Sequence, residues 1–116
     1  MYNKWNDVKG KIDSQSPLIH CITSPIAIND CANAVLALGA KPIMAEHPLE
    51  VENITLMSKS LAVSLANITD ARAESIMISG KAACKAGISS VIEIGRAHVR
   101  TPVTGSNLVC RLLLEK

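Results

Sequence analysis

Three side chains able to act as a base or a nucleophile lie close together in the sequence: His20, Cys21 and Cys31. A histidine exchanges a proton near neutral pH, and a cysteine becomes nucleophilic once its thiol has lost its proton. His20 stands inside an apolar run, which favours a core imidazole hydrogen-bonded to the backbone over a general base. No neighbouring group clearly activates either thiol, so both are interpreted as small buried side chains, although Cys31 near a helix start keeps some potential as a nucleophile.

The elements that must position these side chains form one compact unit over residues 17–48. Residues 18–23 are apolar and partly β-branched, as in a buried strand, and Pro25 breaks the run. A helix of small apolar residues is predicted over residues 31–38, and residues 43–45 form a short second strand. The unit is therefore predicted to be strand, loop, helix and strand.

The helix predicted over residues 31–38 carries its own start and stop signals. Asn29 or Asp30 can accept hydrogen bonds from the free N–H groups of a first turn, so either is expected as the N-cap. Gly39 can adopt the left-handed conformation that closes a helix. Because the residues between them are apolar on nearly every face, we expect both sides of the helix to be covered, by the sheet or by another subunit.

The rest of the chain up to Ile92 alternates helices and strands in the same way. The predicted elements are an amphipathic helix over residues 1–16, a helix over 48–60, a strand over 61–65, a long helix with Asp70 as its N-cap and Gly87 as its end, and a strand over 89–92. Four helices alternating with four strands through short connections predict an α/β fold with a parallel sheet. Ligands of such sheets bind at the carboxyl ends of the strands, which here means residues 23–29, 44–47 and 66–70.

The segment from His20 to Ala45 contains the strings HCIT, AN, LALGA and P-x-M-A at a defined spacing. In this arrangement it resembles the hydroxyethylthiazole kinases of thiamine salvage, and the similarity continues more weakly through residues 51–92. The resemblance implies a three-layer, parallel-sheet, ribokinase-like α/β fold. It also implies that residues 1–92 are an incomplete, N-terminal part of that fold.

The resemblance implies which residues bind the substrate. In that family the methionine of the P-x-M-A motif, here Met44, contacts the thiazole; the alternative for a methionine is a flexible core filler. The loop of Ser24 and Ile26 lines the same pocket, where Ser24 replaces the commoner asparagine and Ile26 keeps the apolar character. Ala66 and Asn67 stand where many members have Gly-Thr or Gly-Asn at the pocket lip. The Ala66 methyl is therefore expected to narrow the site or to be forced to a positive φ.

A full-length relative would use ATP and Mg²⁺ to phosphorylate the hydroxyl of 4-methyl-5-(2-hydroxyethyl)thiazole, as a homotrimer. In the resembling family the nucleotide-binding residues, the glycine-rich anion hole and the base lie downstream of the position matched by Ile92. No catalytic, cofactor-binding or metal-binding residue is therefore assigned here, and we expect the chain as written to be inactive. The alternatives are another small-alcohol kinase of the same fold, a non-catalytic ligand-binding or interaction module, and an incompletely folded remnant.

Composition argues against several other classes of protein. The 116 residues are 48% hydrophobic and 19% charged, which indicates a globular chain, and the 2% of aromatic residues is too low for base stacking on nucleic acid. No apolar run approaches the roughly 20 residues of a bilayer span, and no secretory signal is evident, so we expect a cytoplasmic protein without a membrane partner. The four cysteines lack CxxC spacing, which predicts reduced thiols and no zinc site.

From Glu93 onward the sequence departs from the family. The resemblance predicts a loop of the type D-x-V-G-x-G, whereas the chain reads EIGRAHVRTPVTGSNLVCRLLLEK. EIGRAHV is encoded by GAG ATC GGA AGA GCA CAC GTC, which looks like a common sequencing adapter, and LVCRLLL fits the far end of that adapter in the same frame. Arg100 departs, because the adapter has a stop codon there that one read error would remove. We expect residues 93–116 to be a translated adapter and residues 1–92 to be the N-terminal part of a kinase domain.

Overall fold

The structure is a computed structural model that describes residues 2–93. Eight elements follow one another along the chain: α1 (Tyr2–Gln15), β1 (Leu18–Ile22), α2 (Ile28–Ala37), β2 (Lys41–Ile43), α3 (Val51–Met57), β3 (Ser60–Ser64), α4 (Asp70–Ala86) and β4 (Ser89–Glu93). The predicted alternation of four helices and four strands is confirmed. The predicted adapter tail lies outside the described residues, apart from Glu93.

The four strands form one parallel sheet in the order β2-β1-β3-β4. In the register of the sheet, His20 of β1 lies opposite Ile43 of β2 and Leu61 of β3. The chain moves from β1 to β2 in one direction and then to β3 and β4 in the other. Right-handed crossovers therefore place α2 on one face of the sheet and both α3 and α4 on the opposite face. The predicted α/β fold with helical layers around a parallel sheet is confirmed.

The main hydrophobic core lies between the sheet and the helices α3 and α4. Its buried members are Ile22, Leu61 and Val63 from the strands, Val51 from α3, and Ile76 and Ala83 from α4. The α4 residues that face this core include Ser75, Ser79 and Gly80, which are small enough to let α3 and α4 pack against each other. This core fixes the helices whose first turns border the carboxyl edge of the sheet.

The opposite face of the sheet is less well covered by the described residues. No residue of α2 is buried, and Leu36 and Leu38 at its C-terminal end are 55% and 42% exposed. Val91 of β4 is 64% exposed. Among the described residues α2 contacts the edge strand β2. The expectation that the sheet or another subunit covers both sides of α2 stays a prediction.

The start of α2 differs from the prediction. Ala27 is the N-cap and makes no side-chain cap hydrogen bond, so Asn29 and Asp30 lie inside the first turn and neither of them caps the helix. The helix begins early because the Ala27 N–H donates to the Ser24 carbonyl at 2.9 Å, and this turn leads directly into the helix. Gly39 ends the helix as predicted, with φ +94°, and the next N–H, that of Ala40, donates to the Val35 carbonyl.

Three other element boundaries differ from the prediction. Thr69, not Asp70, caps α4, since its side chain accepts a hydrogen bond from the Arg72 N–H at 3.2 Å, and Gly87 closes α4 as predicted with φ +71°. The helix predicted over 48–60 is confirmed but shorter, as α3. Strand β2 spans Lys41–Ile43 and not the predicted residues 43–45, so Met44 is the first residue of the following loop.

Candidate functional site

The strand order places a topological switch point between β1 and β3. From this pair the chain leaves toward opposite faces of the sheet. Ligands of parallel sheets bind at the carboxyl edge beside such a point. The residues that follow β1 include Ser24 and Ile26, and those that follow β3 include Ala66 and Asn67. These are the loops in which the sequence predicted a ligand site.

Ser24 lies at the point where these two loops meet. Its hydroxyl oxygen accepts a hydrogen bond from the side-chain amide of Asn67 at 3.1 Å and another from the Ile26 N–H at 3.4 Å. Ser24 is 4% exposed, whereas Ile26, two residues further along, is 83% exposed. Because both hydrogen bonds end on the Ser24 oxygen, the hydroxyl proton is the group that Ser24 can still offer to a ligand.

Asn67 adopts the left-handed conformation, with φ +50°. Asparagine tolerates this region better than most residues, because its short polar side chain bonds to nearby groups. The positive φ expected as one outcome at Ala66 is therefore found one residue later, at Asn67. The backbone at Asn67 turns so that its side-chain amide reaches the Ser24 hydroxyl across the switch point.

The guanidinium group of Arg72, in the first turn of α4, holds the loop after β3. One terminal nitrogen donates to the carbonyls of Ala66 at 3.0 Å and Asn67 at 2.7 Å, and the other donates to the carbonyl of Ser64 at 2.7 Å. Arg72 is 3% exposed, and its Nε has no hydrogen-bond partner. Within residues 2–93 the ion pair that forms joins Lys9 to Asp13 in α1, so Arg72 is held there by backbone carbonyls and not by a carboxylate.

His20 holds the loop after β2. Its Nε2 lies 2.8 Å from the carbonyl oxygen of Ala45, and its Nδ1 lies 2.8 Å from the hydroxyl oxygen of Thr55 in α3. Since a carbonyl can only accept, Nε2 carries the proton, and the neutral ring accepts from the Thr55 hydroxyl at Nδ1. His20 and Thr55 are both fully buried, and burial lowers the pKa of His20 while the bond to Ala45 offsets part of that change. The interpretation of His20 as a core imidazole bonded to backbone is confirmed.

A second buried side chain fixes the same loop from α4. The Ser75 hydroxyl, which is fully buried, donates to the Glu46 carbonyl at 2.5 Å. The loop that begins with the half-buried Met44 is therefore fixed at two successive carbonyls, by the sheet on one side and by α4 on the other. Because β1 and β2 are paired neighbours, Met44 and Ser24 follow adjacent strands at the same edge of the sheet.

The cysteines do not join this site. Cys21 is a buried free thiol, and burial raises its pKa, with the nearby Cys31 as a smaller cause, so Cys21 is poorly suited to act as a nucleophile. Cys31 is a half-buried free thiol. Cys84 is disulfide-bonded, so the expectation of reduced thiols is wrong for this residue.

Neither a metal site nor a membrane span is found within residues 2–93. In this part of the chain no group of three or more His, Cys, Asp or Glu side chains is placed to hold a metal ion. None of its helices combines the length and the apolar character that crossing a bilayer requires.

Comparison with known proteins decides the family. The Hydroxyethylthiazole kinase family matches residues 10–105, which is most of the chain. This chain belongs to the hydroxyethylthiazole kinase family. The resemblance read from the segment between His20 and Ala45 is thereby confirmed, and the match continues beyond Ile92.

Individual members of the family show the extent of the similarity. Hydroxyethylthiazole kinase 2 of Clostridium botulinum (strain Hall) is 59% identical over 87 residues, which cover 75% of this chain and 33% of that protein. Hydroxyethylthiazole kinase of Finegoldia magna is 43% identical over 94 residues, which cover 81% of this chain and 35% of that protein. The chain therefore spans about a third of the length of these relatives.

A solved structure of the family has the same fold. Hydroxyethylthiazole kinase from Pyrococcus horikoshii superimposes with a TM-score of 0.72 at 27% identity, over 74% of this chain and 34% of that one. The fold is thus the ribokinase-like α/β fold of these kinases, of which the chain spans a part. The fold prediction is confirmed, including the expectation that the chain holds an incomplete share of the fold.

Sequence reasoning missed Arg72. In a helix of mixed polarity an arginine is normally expected to be solvent-exposed. The burial of Arg72 depends on one carbonyl at the end of β3 and two in the following loop, which come together only after folding. One signal was available, since Arg72 stands in the first turn of a helix that follows a strand end, within reach of the preceding loop.

Proposed function

We propose that the complete protein transfers the γ-phosphate of ATP to the primary hydroxyl of 4-methyl-5-(2-hydroxyethyl)thiazole, a step of thiamine salvage. Membership of the family supports the reaction class. The observation that carries the assignment in this chain is the hydrogen bond between Asn67 and Ser24 at the switch point, because it places polar and apolar side chains together where parallel sheets bind ligands.

In this proposal three residues bind the thiazole alcohol. Met44 packs its thioether against the ring, Ile26 supplies an exposed apolar side chain that a ligand can cover, and the Ser24 hydroxyl donates its proton to a ligand acceptor. Fixing the Met44 loop through His20 and Ser75 supports this role, since a pre-positioned loop binds at a lower entropy cost.

Residues 1–92 bring substrate-binding groups but none that we assign to phosphoryl transfer. Transfer needs positioned positive charge, Mg²⁺ and backbone donors around the leaving group. Among residues 2–93 no group of three or more His, Cys, Asp or Glu side chains is placed to hold a metal ion. As the resemblance implies, we place the nucleotide and Mg²⁺ sites beyond Ile92, and we expect residues 1–92 alone to be inactive.

The assembly and location of the complete protein follow the same line of inference. We propose a cytoplasmic homotrimer, as the resembling family forms. The exposed Leu36 in α2 and Leu38 just after it support a contact between subunits, because an apolar surface of this kind is normally covered.

The tail proposal is tested by resequencing the locus past the codon for Ile92 with long reads. We propose that the reading continues into an Asp- and Gly-rich loop and the nucleotide-binding part, and that residues 93–116 disappear. The family match extends to residue 105, so the position of the boundary is itself an outcome of the reads. An intact genomic copy that encodes the present tail would refute the adapter proposal.

The function is tested on the protein encoded by the complete gene. The purified protein is incubated with ATP, Mg²⁺ and the thiazole alcohol, and the phosphorylated product is measured by mass spectrometry. The control substrate is 5-ethyl-4-methylthiazole, which lacks the hydroxyl that accepts the phosphoryl group. Product with the alcohol alone supports the proposal, whereas activity confined to other small alcohols would assign a different kinase of the same fold.

A further inference from the structure

Arg72 presents a charge arrangement that the proposed reaction does not itself explain. Its guanidinium group is 3% exposed and bonds to the carbonyls of Ser64, Ala66 and Asn67 at 2.7 to 3.0 Å. Burying a cation is costly unless it is paired or fully hydrogen-bonded, and here Nε has no partner. The burial of the Arg72 guanidinium despite this cost indicates that the conformation of the segment that it holds is important.

The segment held by Arg72 is the turn that aims Asn67 at Ser24. Two of the three accepting carbonyls belong to Ala66 and Asn67. They lie on either side of the Asn67 Cα atom, where φ is +50°. The side-chain amide of that residue then donates to the Ser24 hydroxyl at 3.1 Å. A continuous series of hydrogen bonds therefore runs from the first turn of α4, through the β3 loop, to the β1 loop.

We propose that Arg72 is a positioning residue for the alcohol substrate. It acts through Asn67 to set the place and orientation of the Ser24 hydroxyl, and it does not touch the substrate itself. This inference rests on the proposed function for its kinetic consequence, but its structural content is independent of that function. Without the guanidinium fork, the turn at Asn67 loses the donors that hold it in its left-handed conformation.

The test uses the complete protein with Arg72→Lys and Arg72→Met. A lysine keeps the charge but lacks the planar fork that reaches carbonyls on both sides of the turn, and a methionine keeps much of the volume without any donor. We expect the KM for the thiazole alcohol to rise about ten-fold in both variants, with the KM for ATP unchanged.

Ser58→Ala is the matched control for a general loss of stability. Ser58 is 6% exposed and its hydroxyl donates to the Ile54 carbonyl at 2.7 Å near the end of α3, away from the loops of the site. This variant also removes a buried hydrogen bond to a carbonyl. It should lower the melting temperature and leave the KM for the alcohol at the wild-type value.

A double-mutant cycle with Ser24→Ala tests the route of the effect. If Arg72 acts through Ser24, then Arg72→Lys combined with Ser24→Ala should raise the KM little more than Ser24→Ala alone. Fully additive effects on KM would overturn the proposal, and so would a wild-type KM in both Arg72 variants.

A spectroscopic readout separates this proposal from the proposed function. In protein labelled with ¹⁵N-asparagine, the side-chain amide signal of Asn67 should move in Arg72→Lys toward that of a free, solvent-exposed asparagine, and should stay in place in Ser58→Ala. An unmoved Asn67 signal would refute the positioning role even in an active enzyme. A moved signal in a protein that does not phosphorylate the alcohol would support it while the proposed function failed.

Discussion

The side-chain amide of Asn67 donates a hydrogen bond of 3.1 Å to the hydroxyl of Ser24, which lies 43 residues earlier in the chain. The bond joins the loops that follow β1 and β3, the two strands between which the chain changes direction across the sheet. Parallel strands bring their carboxyl ends to one edge, so this contact follows from the topology. The site that we propose is built around it.

Replacing Met44 by alanine should weaken binding of the thiazole alcohol. The side chain is half-buried in the loop after β2, and loss of its contact with an apolar ring is expected to raise the KM for the alcohol about ten-fold while the KM for ATP stays constant. The control is Met57→Ala at the end of α3, where the side chain is 69% exposed. Equal effects of the two variants on KM would contradict a binding role for Met44.

Replacing Thr55 by valine should destabilise the protein through His20. Valine fills nearly the same volume but leaves His20 Nδ1 buried without a donor, which is expected to lower the free energy of unfolding by about 1–3 kcal/mol. Thr55→Ser keeps the hydroxyl and should retain more of the stability. Urea denaturation measures both, and a valine variant as stable as the wild type would show that the bond contributes nothing.

Stability should fall in mild acid because of His20. Burial holds the pKa of His20 below its usual value of 6.5, so the unfolded chain binds a proton before the folded protein does. The free energy of unfolding is therefore expected to be constant for this group above about pH 7.5 and to decline as the pH falls through about 6.5. His20→Gln should flatten this decline. An unchanged slope in His20→Gln would contradict the prediction.

Two glycines should respond in opposite directions to alanine. Gly39 has φ +94°, and a methyl there would meet the Asp13 carboxylate, so Gly39→Ala is expected to cost about 1 kcal/mol or more. Gly10 lies inside α1 with open space around it, so Gly10→Ala is expected to stabilise by about 0.5–1 kcal/mol. Thermal melts of the two variants provide the measurement. A stabilising Gly39→Ala would mean that the left-handed turn is not required.

The sequence predicted the order of elements because hydrophobic periodicity and breakers are local signals. Gly39 and Gly87 close their helices as expected, since few other residues adopt a positive φ easily. The predictions of Asn29 or Asp30 and of Asp70 as N-caps were wrong, because the cap position depends on the residue at which the preceding turn ends. Several residues near a helix start are chemically able to cap it, and only the turn selects among them.

The site was predictable at the level of loops and not at the level of contacts. The parallel topology predicted that the loops holding Ser24, Met44 and Asn67 share one edge, and the structure confirms this. The hydrogen bond between Ser24 and Asn67 and the burial of Arg72 depend on backbone direction within the β3 loop. A sequence pattern does not specify that direction, because it is set only when the loop folds and its carbonyls are in place.

The coverage of α2 stays a prediction for a related reason. An apolar helix indicates that neighbours exist, but it does not say whether they belong to the same stretch of chain. In the described residues no residue of α2 is buried, and Leu36 is 55% exposed.

The most direct test of the central claim is a crystal structure of the complete protein with 4-methyl-5-(2-hydroxyethyl)thiazole bound. The account predicts the thiazole ring against Met44 and Ile26, with the Ser24 hydroxyl within hydrogen-bond distance of the ligand and still bonded to Asn67. A ligand bound elsewhere, away from the carboxyl edge of β1 and β3, would contradict the account.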